Sequence, residues 1–230
     1  MNFPRAILLD ALGTLVQLEP PAPRLRAELA RRFAIEVTEA QAARAIAAEI
    51  AYYRSHLDEG GDAARLEALR RRCAEVLRKA LPGSDRLSAV PPGALTEALL
   101  ASLRFDAFDD VAPALVHWRK HGVRLVVVSN WDVSLHQVLE RVRLTPLLDG
   151  VVTSAEAGAR KPAAAIFERG LRLARAAPTE AIHVGDSLAE DVAGARAAGI
   201  AAVLVRRDGG EPPPGVAAIR TLSELSETTP

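Results

Sequence analysis

At 230 residues with 49% hydrophobic side chains, the chain is long enough for one full hydrophobic core and a smaller appended unit, and too apolar to remain disordered. Lys plus Arg and Asp plus Glu each total 29, and no basic block is dense locally, so nucleic acid is excluded as a partner and a small molecule is expected. Cys73 is the single cysteine, which excludes an internal disulfide and a cysteine-based zinc site and fits a reducing compartment.

The opening MNFPRAILLDALGTL reaches Asp10 without the unbroken apolar region of a signal peptide. No run approaches the roughly 20 apolar residues of a membrane span, so no membrane partner is expected and the expected location is cytoplasmic. Residues 6–9 read as a buried strand that ends in Asp10-Ala11-Leu12-Gly13-Thr14. The next hundred residues carry only helical periodicity, as at 24–32, 39–56 and 65–81, stretches rich in Ala, Leu, Arg and Glu. Cys73 falls in the last of these, on a helix and with no redox task. Turn residues at Glu19-Pro20-Pro21 and at 106–110 mark the edges of this insert, placing a helical cap domain at 17–104 and a core domain at 1–16 and 105–230.

From 111 onward helix and strand alternate. Helices are expected at 111–121, 135–142, 163–175 and 191–198, and strands at 123–128, 151–153, 182–184 and 201–205. The strands are nearly continuous in Val, Ile and Leu, as strands buried on both faces must be. Gly122 and Gly199 stand where left-handed helix ends are expected. The pattern specifies an α/β fold, a Rossmann-like doubly wound parallel sheet with an inserted all-helical cap.

Polar residues gather at the strand ends: Asp10 after the first, Ser129-Asn130 after the second, and Gly185-Asp186-Ser187 with Asp191 after the fourth. Ligands bind at the carboxyl ends of such sheets, so these segments are expected to line one crevice. Three carboxylates meeting there must raise one another's pKa or recruit a cation, and hard oxygen ligands beside a phosphate favour Mg²⁺. Lys161, before Pro162, supplies a compact positive charge able to hold a phosphoryl oxygen or a nucleophile. Plainer uses stand beside these. Asp191 falls where a helix N-cap belongs, and Trp131 and Asp132 either face a substrate or serve as a packing aromatic and a capping acid for the helix at Leu135. His56, His117, His121, His136 and His183 lack metal spacing such as HExxH and read as surface or satisfied core residues.

The segments ILLDALGTL, SN after VRLVVV, RKP and HVGDSLAEDVAGARAAGI resemble, in order, the four motifs of the haloacid dehalogenase superfamily, with the insert in the place of its cap. Within it, DALGTL, SNWDVSL, TSAEAGARKP and HVGDSLAEDVAGARAAG are most similar to the rhythmically-expressed-gene-2-like group. The resemblance implies a hydrolase in which Asp10 attacks the substrate and forms a covalent aspartyl intermediate. It implies Mg²⁺ held by Asp10, Asp186 and the carbonyl of Leu12, with Asp191 a ligand or an outer partner. Ser129, the amide of Asn130, Thr14 and Lys161 would bind the phosphoryl group, Lys161 also serving catalysis.

Leu12 departs from the phosphatase pattern, which has a second aspartate there as acid and base; losing such a group typically slows a reaction by about 10²–10⁴. The dehalogenases carry D-A-Y-G-T at this motif, which DALGT also resembles, but they lack the acidic fourth motif. The expected function is a Mg²⁺-dependent phosphatase acting on a small phosphorylated metabolite. A 2-haloacid dehalogenase and a catalytically silent binding protein remain as alternatives.

Overall fold

The structure, a computed structural model, describes residues 3–226. It divides into two compact units, one formed by the chain up to Gln17 and from Asp106 onward, the other by Leu18–Phe105.

The first unit is built on a six-stranded parallel sheet. Its first strand, β1 (Ala6–Leu9), leads out through β2 (Val16–Leu18). The second unit follows, all helical: α1 (Pro21–Phe33), α2 (Glu39–His56), α3 (Ala63–Ala80), α4 (Asp85–Ala89) and α5 (Pro92–Ser102). The chain returns through β3 (Phe105–Ala107) and continues with α6 (Val111–Lys120), β4 (Arg124–Ser129), α7 (Leu135–Arg141), β5 (Gly150–Thr153), α8 (Ser154–Ala157) and α9 (Ala164–Ala174). Then come β6 (Ala181–Gly185), a π-helical segment (Leu188–Ala193), α10 (Gly194–Ala197), β7 (Ala201–Val205) and β8 (Ala218–Ile219). The strand order is β5-β4-β1-β6-β7-β8, while β2 and β3 pair separately. The expected turn at 106–110 is therefore strand in its first two residues, because the outgoing and returning segments hydrogen-bond to each other.

Alternate side chains of the sheet point to opposite faces, and both faces are closed. Ala6, Leu8, Val126 and Val128 pack with Ile166, Phe167, Leu171 and Ala195 in one cluster. Ile7, Leu9, Leu125 and Val127, on the other face, are equally buried. Burial on both faces is why these strands read as unbroken apolar runs. Gly122 and Gly199 take φ of 77° and 76°, the left-handed conformation that ends a helix.

The helical unit has its own core, in which Leu25, Leu29, Ile46, Leu69, Leu77, Leu95 and Leu99 meet. Its helices begin where the sequence supplies caps. Thr38 accepts from the Gln41 amide at 3.2 Å while Gln41 Oε1 accepts from the Thr38 amide at 2.7 Å, a capping box that opens α2. Asp62 accepts from the Arg65 amide at 2.9 Å to open α3. Cys73 is buried in α3, in contact with the buried carboxyl of Glu49. Among the described residues no helix is long and apolar enough to cross a membrane.

Candidate active site

Parallel strands bring their carboxyl ends to one edge, and β1 lies between β4 and β6, where the winding changes direction. Three strands therefore deliver their following residues side by side: Asp10 from β1, Ser129 at the end of β4, and Gly185-Asp186 from β6. The amide of Asp10 donates to the Val184 carbonyl at 2.9 Å, which extends the ladder by one residue and fixes where its side chain begins.

Lys161 is the centre of the arrangement. Its ammonium, fully buried, donates to Asp10 Oδ1 at 2.5 Å and to Asp191 Oδ1 at 2.6 Å. Asp10 Oδ1 also accepts the Ser129 hydroxyl at 2.9 Å. Asp191 Oδ1 receives His183 Nε2 at 2.8 Å, and its Oδ2 receives the Ser187 amide at 3.0 Å. Asn130 builds the scaffold beneath the lysine. Its Oδ1 accepts the Lys161 amide at 2.7 Å, and its Nδ2 donates to the Lys161 carbonyl at 3.1 Å and to Glu190 at 3.0 Å.

Burial and charge pull these groups in opposite directions. Burial opposes the charged form of Lys161, but Asp10 and Asp191 outweigh it and hold the lysine protonated well above its ordinary range. Burial also raises Asp191, and Lys161 with His183 overrides that and keeps it ionised. Asp10 stays raised, because burial and the nearby Asp191 charge exceed the help of Lys161 and Ser129. Asp186, partly desolvated and facing both other carboxylates, is pushed up to about 7. One lysine does not balance three carboxylates.

Oxygens of Asp10, Asp186 and Asp191 lie within 4.8 Å of one another, a donor set of hard oxygens with the charge and spacing for a divalent cation such as Mg²⁺. Two glycines make the room. Gly13, at φ 81°, lies where a Cβ would overlap the Asp186 carboxylate, and a Cβ on Gly185 would overlap that of Asp191. The residues fit the ion.

Several expectations change. Asp191 is not the N-cap of its helix: Ser187 takes that place, accepting from the Glu190 amide at 3.2 Å, and the helix starts three residues earlier as a π-helical turn. Asp191 is turned inward to Lys161, among the residues with which the sequence grouped it. Trp131 is buried, and Asp132 accepts the Ser134 amide at 2.6 Å beside the start of α7, so both serve the local fold. Asn130 commits its side chain to the Lys161 backbone. Thr14 is wholly buried, its hydroxyl without a hydrogen-bond partner among the described residues. The side chain of Leu12 is 42% exposed. His183, read as a surface or satisfied core residue, touches the site through Asp191, and Glu190 was not singled out at all. His183 is the one polar side chain in the wholly buried run of β6, which could have flagged it; the π-helical turn that brings Asp191 onto it has no sequence signature.

A family model described as haloacid dehalogenase-like hydrolase matches residues 4–199. The chain is similar to haloacid dehalogenase-like hydrolase domain-containing protein 3 of Bos taurus, 46% identical over 87 residues that cover 38% of this chain and 35% of the relative. It is similar to a glyceraldehyde 3-phosphate phosphatase of Methanothermobacter thermautotrophicus, 31% identical over 134 residues, 58% of this chain and 59% of that one. Each match thus spans less than two thirds of the curated relative's length. Among solved structures, a HAD phosphatase from Thermococcus onnurineus superposes with TM-score 0.65 and 26% identity, covering 97% of this chain and 96% of that chain.

Proposed function

The chain belongs to the haloacid dehalogenase-like hydrolase family, and from that premise we propose that it is a Mg²⁺-dependent phosphatase of a small phosphorylated metabolite, working through an aspartyl-phosphate on Asp10. The observation that carries this reading is the carboxylate cluster of Asp10, Asp186 and Asp191 around a single buried lysine. A site built to take an organic halide has no use for so much negative charge, whereas a cation between carboxylates and phosphate neutralises both.

Both hydrogen bonds to Asp10 fall on Oδ1, from Ser129 and Lys161. Oδ2 is left as the oxygen free of a donor among the described residues, and we assign the attack on phosphorus to it. The bond from phosphorus to the leaving oxygen breaks as the Asp10 oxygen–phosphorus bond forms, and water then returns the phosphate and frees the carboxylate. Lys161 keeps the attacking group oriented and faces the charge on the transferring oxygens, with Ser129 and the Asn130 amide beside it. Asp10, Asp186 and the Leu12 carbonyl are the residues we assign to Mg²⁺, whose contribution when bound is to neutralise phosphoryl charge. Asp191, with both oxygens already accepting hydrogen bonds, we assign to holding Lys161. The helical unit is assigned the choice of substrate, as a cap.

Dehalogenation is the second reading, favoured by one observation, Leu12 in place of an acid. A panel of phosphorylated metabolites and 2-halo acids, each with Mg²⁺ and with a chelator, separates the two. Phosphate release that needs Mg²⁺ and disappears in Asp10→Asn is expected. Halide release insensitive to the chelator would overturn the phosphatase reading. The Asp10→Asn protein should melt near the wild-type temperature, because Lys161 keeps its bond to Asp191.

A further inference from the structure

Arg207 stands two residues beyond β7, outside every motif, and two segments of the first unit meet on it, a third joining through Asp110. Its guanidinium grips Asp110 with both terminal nitrogens, at 2.9 and 3.3 Å. One of those nitrogens also donates to the Thr14 carbonyl at 2.6 Å. The guanidinium carbon lies 3.7 Å from the centre of the Phe108 ring. Asp110 in turn accepts the Leu222 amide at 2.6 Å. Arg207 and Asp110 side chains are only 16% and 15% exposed, so the pair is shielded from water and competing ions.

What this cluster holds is the turn after the nucleophile. The Ala11 carbonyl accepts from the amides of Thr14, Leu15 and Val16, curling the chain back on itself, and Gly13 adopts φ 81° at its middle. The next two carbonyls face outward to one place: Thr14's to Arg207, and Leu15's to the amide of Phe108 at 3.2 Å, the residue whose ring lies against the same guanidinium. We propose that Arg207 is a positioning residue that fixes the turn which follows Asp10 and carries Leu12, and ties it to the returning segment at Phe108 and Asp110. The proposal rests on the reading of Asp10 as nucleophile and of the Leu12 carbonyl as a ligand. Lysine cannot substitute, since one ammonium cannot fork a carboxylate, reach a carbonyl and stack on a ring together.

The test compares Arg207→Lys and Arg207→Ala with wild type and with Arg206→Lys, a neighbour whose bonds go to the exposed Asp208. Phosphatase kcat and KM are measured with saturating Mg²⁺, together with amide hydrogen exchange over residues 9–17. In Arg207→Lys, kcat should fall on the order of tenfold to a hundredfold with KM within about twofold of wild type, as a small displacement of a reacting group does. Exchange should quicken in the turn and not in the sheet, and Arg206→Lys should match wild type. Guanidinium ion should restore part of the kcat of Arg207→Ala; if that protein does not fold, the lysine variant decides alone. Unchanged kcat together with unchanged exchange in Arg207→Lys would overturn the proposal. If the wild type released no phosphate from any ester, the functional reading would fail, while exchange in the turn would still decide whether Arg207 holds it.

Discussion

Leu12 is the residue on which the proposed chemistry turns. It stands two positions after Asp10, 42% exposed, where an acidic group would deliver a proton to the leaving oxygen. Proton delivery should therefore limit the rate. Aryl phosphates, whose leaving groups need no proton, should be hydrolysed well and alkyl phosphates poorly. Leu12→Asp should raise alkyl turnover by about tenfold or more relative to aryl turnover at saturating Mg²⁺. An unchanged ratio in a folded, metal-binding variant would mean that another group already supplies the proton. The grouping of Asp10, Ser129, Lys161, Asp186 and Asp191 was legible in the sequence, because each follows a strand or strand-adjacent loop and parallel strands bring such residues to one edge. The contacts of His183, Glu190 and Arg207 were not, since each depends on the side-chain direction of a partner many residues away. Of the two uses open to Asp191, the structure discards only the N-cap, which Ser187 fills: N-cap position is a local property, and the pull of a buried lysine is not.

At the scale of the element, α2 carries a testable anomaly. Glu49 is buried in the middle of the helix, and burial raises its carboxyl above the ordinary 4.5, with Cys73 only partly relieving it. A carboxyl raised by folding binds its proton more tightly in the folded state. Its favourable contribution is thus complete below pH 4.5 and is lost as pH rises through the folded value. Glu49→Gln should accordingly melt higher than wild type at pH 7, with the difference closing as pH falls below about 4.5. Thermal melts across that range check it, and a variant that melts lower at pH 7 would contradict it. Helices such as α2 were readable to their ends because caps and periodicity agree there, as Thr38 and Gln41 show. The strands β2 and β3 were not, at three residues each, since a pattern of period two cannot declare itself over so short a run. The π-helical segment read as an ordinary helix because its apolar residues satisfy either winding.

At the scale of the whole molecule, an α/β unit and a helical unit are joined by two connections that pair as β2 and β3. Proline at positions 20 and 21 stiffens the outgoing path, and Arg207 holds the returning one at Asp110. If the helical unit acts as a cap, both connections should change together when the site is filled. Hydrogen exchange at residues 16–20 and 104–110 should slow in concert on adding Mg²⁺ with a phosphate mimic. Exchange identical in the free and filled protein would argue against a moving cap. The central claim is that Asp10 attacks phosphorus, and one turnover in water enriched in heavy oxygen, with enzyme in excess over a hydrolysed phosphoester, tests it most directly. Water attacking an aspartyl-phosphate at phosphorus leaves the label in the released phosphate. Water attacking a carbon ester of Asp10 at its carbonyl leaves the label in the Asp10 carboxylate. The account predicts labelled phosphate, unlabelled Asp10 and, when the turnover is acid-quenched before completion, phosphate covalently held on Asp10; label in Asp10, or no bound phosphate at any time during the turnover, would contradict it.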